Sequence, residues 1–496
     1  MLWNGEASVA QFADGYPQRP FGAVQPNPVN ECGASVWVRD VASPCNLSSL
    51  QGMKAPTGVM TDYPTRAVAW YTVFVLMLCY TLSYADRQIL AFLVGPLKAD
   101  LRISDTEVGL LQGVAFALVY TIFGLPMGAL ADRFSRRNII AIGVIVWSIS
   151  TSLCSVARSF VSLAAARMGV GIGEATLSPC AFSMITDSFP KARVSSALSV
   201  YTMGIQLGSG LALVIGGLVA QAVSHMAPVA IPLAGFIPAW RVTFLIVGAP
   251  GLLVALLLFT LREPTRRTLL LSSTGVAAVF GLGQVLAHIR LRWRAVAGIS
   301  TMISCQATCN YALLAWGPSF FERMHHWPKD RTGLVLGLTT LGCGCAGLFV
   351  GGRLSDHWHS RGIADAPLRV GLMSLTGILF TLAPAMLLRD AGWTVTLLVP
   401  AVFFIGLPIG CGYAAVQLIV PNQARGRVSA LVLFAVALTS LALGALLPGF
   451  LNDHLFHDEY RIGASIALTV AFASVVGILA GVVTLSPYRT AYRAMD

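Results

Sequence analysis

The stretch Gly128-Ala-Leu-Ala-Asp132-Arg133-Phe-Ser-Arg136-Arg137 ends one long apolar run and opens the next, and it has an echo further along the chain. Gly352-Arg-Leu-Ser-Asp356, with Arg361 behind it, stands 224 residues later (352 − 128). The same offset joins Gly109-Leu-Leu-Gln-Gly113 to Gly333-Leu-Val-Leu-Gly337 (333 − 109 = 224), and Arg193-Val-Ser-Ser-Ala197 is answered by Arg427-Val-Ser-Ala430. One offset shared by separate motifs marks a duplicated chain whose two halves run in the same internal order.

The composition says what was duplicated. Of 496 residues, 56% are hydrophobic and 11% charged, against about 25% charged in a soluble domain. Apolar runs of about 20 residues, enough to cross some 30 Å of hydrocarbon, recur after residue 66, and only helices satisfy their own backbone at that depth. The period-2 alternation of a membrane β-barrel is absent. Twelve spans are predicted, over 67-94, 106-131, 137-156, 160-189, 195-223, 240-261, 295-321, 332-354, 368-388, 393-420, 428-450 and 463-485. The expected fold is an all-α polytopic membrane protein with two six-helix pseudo-repeats: 67-261 and 295-486, joined by a basic linker (262-294) and followed by a short tail (487-496).

An even number of spans puts both termini on one side, and the loops there hold Arg133, Arg136, Arg137, Lys191, Arg193, Arg262, Arg266, Arg361 and Arg369. The positive-inside rule makes that side cytoplasmic, in an inner membrane. The formal charge of +11 is thereby a matter of orientation in the membrane, not of nucleic-acid binding. Residues 1-66 show no periodicity and carry Pro17, Pro20, Pro26 and Pro28, so a disordered cytoplasmic tail is expected; a start at Met60 would leave only a short polar leader. Within the linker, Leu269 to Ala287 reads as an amphipathic helix on the membrane surface, the alternative being a thirteenth span. The cysteines have no His/Cys partner set, so neither a metal site nor a cofactor is expected. His288, His357 and His359 lie in basic-side segments, where solvent or headgroup contacts are the default.

Ionisable residues at membrane depth are the strongest pointers to function. Tyr80-Thr-Leu-Ser-Tyr84-Ala-Asp86-Arg87 puts a carboxylate and a guanidinium in the first span, and Ala166-Arg167-Met-Gly169-Val-Gly171-Ile-Gly173-Glu174 places Arg167 and Glu174 on one face of the fourth, with Gly171 leaving room between them. Counted from the ends of their spans, Asp86 and Arg167 fall at similar depth, so all four are expected to form one network of zero formal charge. The residue paired with Asp86 by the 224 offset is Asn310, and the second half has no acid at membrane depth. Ion coupling, if any, belongs to the first half. Burial raises carboxylate pKa values while arginine stays charged, so Asp86 and Glu174 are the titratable members, and a purely structural network is the alternative.

With its echo, the Gly128 to Arg137 loop resembles the signature loop of the major facilitator superfamily. The resemblance implies that Gly128, Asp132, Arg133, Arg136, Arg137, Gly352, Asp356 and Arg361 latch the halves on the cytoplasmic side in the outward-open state. Ser104-Asp-Thr-Glu-Val-Gly109, Ser183-Met-Ile-Thr-Asp187-Ser-Phe-Pro190 and Gly248-Ala-Pro-Gly251, with the charged runs of spans one and four, are similar to the Spinster-type branch over roughly 67 to 486. That branch implies a secondary transporter of lipids or lysolipids in animals, with Asp86 and Glu174 as proton-responsive acids and Arg87 and Arg167 as their partners. The organic-anion symporter branch shares the Asp-Arg pair and a similar fourth span. Superfamily architecture further implies a cavity lined by Tyr80, Tyr84, Ser178, Asn310, Tyr311, Trp316, Tyr413 and Gln417.

The expected protein is therefore a monomeric, proton-coupled secondary transporter of an amphiphilic or organic anion, with membrane lipids, the proton and a small-molecule or lipid-like substrate as its partners. A primary pump is disfavoured by the lack of a Gly-x-x-x-x-Gly-Lys-[Ser/Thr] loop, and an enzyme by the lack of paired acids or a His-Glu-x-x-His motif. A non-transporting receptor on the same fold is the rival from another class.

Overall fold

The computed structural model describes residues 63–231, 235–266, 290–409, 411–420 and 425–494. The expected tail up to residue 62 and the expected helix from Leu269 to Ala287 lie outside the described residues. In chain order the spans are α1 (Arg66–Phe92), α2 (Asp105–Gly128), α3 (Arg136–Val156), α4 (Phe160–Ser188), α5 (Ser196–Ser224), α6 (Ala239–Leu258), α7 (Trp293–His325), α8 (Lys329–Ser360), α9 (Ala366–Ala385), α10 (Ala391–Gly406), α11 (Leu431–Phe456) and α12 (Glu459–Arg493). Ten are long and apolar enough to cross a membrane; α10 is shorter, and α7, although 33 residues long, is diluted by Ser, Thr, Gln and Asn. These are the twelve helices of two six-helix halves.

Three differences from the expected spans have local causes. The tenth stops at Gly406 and resumes only at Gly412–Leu418; the carbonyls freed at the break are taken by Gln306 Nε2 on Ile405 and Ser374 Oγ on Phe404, each at 2.7 Å. The last helix continues through Pro487 to Arg493 and buries Tyr488, so most of the expected tail is folded. Between α5 and α6 the all-α expectation gains a small antiparallel hairpin, β1 (Val229–Ile231) and β2 (Gly235–Ile237).

Two further interruptions place the charged residues. The α-helical part of α1 ends at Gln88 and tightens into a 3-10 turn at Ile89–Phe92. In α4 the helix ends at Glu174 and restarts at Leu177, because the ring of Pro179 cannot follow the carbonyl of Ala175 in an unbroken helix. Asp86, Arg87 and Glu174 thus sit beside helix breaks, where backbone groups are freed for binding.

The duplicated glycines explain themselves in the packing. A Cβ on Gly113 would lie 2.5 Å from the Leu441 carbonyl oxygen on α11, and one on Gly337 would lie 2.5 Å from the Gly210 carbonyl oxygen on α5. Each half therefore presents its second helix to the fifth helix of the other, backbone against backbone. Gly109 and Gly333 make the same approach one turn away, against Ala445 and Leu213. Both second helices carry a π-turn, at Leu110–Val114 and at Thr340–Gly344.

Candidate functional site

Glu174 is fully buried and bound from two directions. Ser83 Oγ and Arg87 Nε each donate to its Oε2 at 2.6 Å, and Arg87 Nη2 stands 2.5 Å from the same atom. Its Oε1 is buried without a partner. The Arg87 guanidinium is further held by aromatic faces: its carbon lies 4.6 Å from the ring centre of Phe116, 5.0 Å from Tyr84 and 5.2 Å from Tyr120. Cation–π contacts of this kind offset part of the cost of desolvating the charge.

The expected four-residue network divides into two pairs. Arg167 Nη1 donates not to the Asp86 carboxylate but to the Asp86 backbone carbonyl, at 3.1 Å, one of the carbonyls near the end of the α1 helix. Asp86 Oδ1 and Arg167 Nε are both buried without hydrogen-bond partners. Phe116 links the pairs, since the Arg167 guanidinium also lies over it at 6.0 Å. Gly171 does not make room for Arg167; a Cβ there would meet the Phe116 carbonyl oxygen at 3.0 Å, so it admits the α2 backbone instead.

Beside Arg87 is a cavity of about 30 Å³ lined by Arg87, Gln88, Gln112 and Phe116 of the first half and by Tyr311, Leu314, Leu441 and Ala445 of the second. That is room for one or two waters. Gln112, on the π-turn of α2, has its Nε2 buried and unpartnered. Neither Gln88 nor Gln112 was singled out from the sequence, since a lone amide in an apolar helix carries no pattern. The other expected cavity residues separate. Tyr80 stacks on Tyr201 at 5.0 Å and packs edge-on to Tyr84 at 5.6 Å, with Ser178 beside Tyr80. Asn310 and Tyr413 are partly exposed and Gln417 is exposed. Trp316 is no cavity wall: it is wholly buried and its Nε1 donates to the Ala445 carbonyl at 2.7 Å.

On the basic face both repeated glycines lie near the ends of helices, with nothing within 4 Å of a Cβ built on Gly128 or Gly352. Neither glycine is therefore needed for a close helix approach, unlike Gly113 and Gly337. Arg133, Asp356 and Arg361 are exposed, and the Asp132 side chain lies outside the described residues. Arg136 is buried and pairs with its own half and with the start of the linker: Nη1 with Asp187 and, at 2.8 Å, Ser183 Oγ; Nε with Glu263 at 2.8 Å; and Nη2 with the Pro264 carbonyl at 2.7 Å. Arg137 donates its backbone N–H to Glu263 Oε2 at 3.0 Å and its Nη1 to the Leu261 carbonyl at 3.2 Å. Partial burial pushes the Glu263 carboxyl up, but the hydrogen bonds from Arg137, Arg136 and Ser135 hold it below the usual carboxylate range. Glu263 was not foreseen, because its role depends on a loop folding back 127 residues along the chain.

No group of three or more His, Cys, Asp or Glu able to hold a metal occurs among the described residues.

Comparison with known proteins gives one family and several kinds of cargo. The family model described as Major Facilitator Superfamily matches residues 76–445. An MFS-type efflux pump of Mycolicibacterium smegmatis is 30% identical over 88% of this chain and 98% of its own, and a hexuronate transporter of Bacillus subtilis is 24% identical over 81% and 92%. Protein spinster of Drosophila melanogaster is 30% identical over 59% of this chain but only 46% of its own length. Among solved structures, a bacterial homologue of the human lysosomal transporter Spinster, inward-facing and unoccupied, superposes with a TM-score of 0.69 at 24% identity, covering 87% of this chain and 98% of that one.

Proposed function

Since this chain belongs to the major facilitator superfamily, we propose that it is a proton-coupled secondary transporter moving an amphiphilic or organic anion by alternating access. The observation that carries this reading is the buried Arg87–Glu174 pair at the edge of a cavity shared by both halves. Protonation of Glu174 removes its attraction for Arg87, and a freed guanidinium facing that cavity binds an anionic group. Asp86, buried and without a hydrogen bond at Oδ1, is the second acid able to hold a proton. The cavity in this state holds only a water or two, so substrate entering from the basic face must widen it. We take that face as cytoplasmic and the state as inward-facing, with both termini inside. The open space at Gly128 and Gly352 and the likeness to an inward-facing relative support this.

A second reading, an organic-acid symporter, is favoured by the hexuronate transporter and by a probable L-galactonate transporter of Escherichia coli, 25% identical over 75% of this chain. Purified protein in proteoliposomes, given lysolipids or small carboxylates with and without a pH gradient, separates the two. Gradient-driven accumulation of one class, lost in Glu174→Gln with counterflow retained, is expected; accumulation unchanged in both Glu174→Gln and Asp86→Asn rules out the coupling role.

A further inference from the structure

Opposite the basic face, the halves are joined by a cluster of charges that the transport chemistry does not use. Asp105, in the first turn of α2, is completely buried. It accepts Arg323 Nη1 and Nη2 at 2.7 and 2.8 Å, Asn452 Nδ2 at 2.7 Å, and Lys98 Nζ at 2.9 Å. Lys98 belongs to the same half, Arg323 and Asn452 to the other. Asp453, also from the other half, accepts the Thr106 backbone N–H and hydroxyl, both at 2.6 Å, so one half caps a helix of the other.

We propose that Asp105, Arg323, Asn452 and Asp453 form the latch that holds the transport pathway shut on this face, Asp105 and Arg323 being its positioning residues. The proposal rests on the alternating-access reading. Its physical basis is that Asp105 and Arg323 each have something to fall back on in their own half, while Asp453 is only partly buried and returns to water. When the halves part, Asp105 keeps Lys98, and the α2 N-terminus keeps the capping box in which Ser104 Oγ accepts from Glu107 N at 3.2 Å and Glu107 Oε2 from Ser104 N at 2.8 Å. Arg323 remains beside Glu322 and Glu459, whose carbonyl it already meets at 3.4 Å. Opening therefore exchanges partners and avoids the most expensive outcome, a buried charge left alone. The glycine seams next to the latch hold the closed state by close packing, and the latch adds a directional bias to it.

The test is a distance measurement between spin labels on Arg102→Cys and His457→Cys, which are exposed on opposite halves at this face, in the full chain with its native cysteines replaced. The parent is expected to show one short distance. Arg323→Gln should raise the ratio of long to short distances by about tenfold or more, the effect of losing a charge-assisted hydrogen bond at a buried carboxylate. Asn452→Ala, which leaves every charge in place, should move it the same way by less. An unchanged distribution in both Arg323→Gln and Asn452→Ala overturns the latch, even if transport persists. A shifted distribution with no flux of any substrate sustains the latch and tells against the transport reading instead.

Discussion

Arg87 on α1 and Glu174 on α4 meet at the ends of two interrupted helices, with Arg87 Nε donating to Glu174 Oε2 at 2.6 Å and the side chain of Glu174 fully buried. A pair in that position is costly to break and cheaper to remove whole. Replacing one partner strands the other charge, at about 3–5 kcal/mol, whereas an apolar pair of similar volume is often near neutral. Glu174→Leu should accordingly lower the melting temperature well below that of the double variant Arg87→Met with Glu174→Leu. Thermal unfolding in one detergent checks this; additive losses would mean that the pair does not act as a unit.

Phe116 lies under both guanidiniums, at 4.6 Å from Arg87 and 6.0 Å from Arg167. Phe116→Leu keeps the apolar bulk and removes the quadrupole, so about 0.5–2 kcal/mol of stability should be lost. Phe116→Tyr, which keeps a π-face, should lose less. The two melting curves, compared side by side, decide it.

Gly113 and Gly337 are the pivots of the seam. An added methyl would stand 2.5 Å from a facing carbonyl oxygen at either site, so Gly113→Ala and Gly337→Ala should each wedge the two halves apart. Cysteine pairs placed across α2–α11 and α5–α8 should cross-link several-fold more slowly in these variants. Gly128→Ala and Gly352→Ala, with open space at the same position, should leave cross-linking unchanged.

Glu263 ties the loop after α6 to Arg136 and Arg137. Its folded-state pKa lies below the ordinary value of 4.5, so its stabilising contribution is fully present above about pH 4.5 and is lost as the pH falls through the lower folded value. The melting temperature of the parent should exceed that of Glu263→Gln at pH 6, and the gap should shrink as the pH approaches 3.5. A gap independent of pH would show that the carboxylate charge contributes nothing.

Much of this architecture is legible in the chain alone, because the bilayer imposes a length and a polarity that few other environments do. Apolar runs of about 20 residues and a single 224-residue offset are enough for twelve spans in two halves. Asp86, Arg87, Arg167 and Glu174 stand out for the same reason, since a charge at membrane depth is conspicuous in any sequence. Tertiary structure decided which atoms they use: Arg167 takes a backbone carbonyl in place of the expected carboxylate, Ser83 joins Glu174, and Phe116 lies between the cations. It also decided where the halves touch. Asp105 and Arg323 are 218 residues apart, and nothing in their neighbouring residues announces a bond that exists only when two bundles close against each other. Hydrophobic periodicity is a local property set by the solvent, whereas the pairing of polar groups depends on which backbones approach closely enough to bring them together.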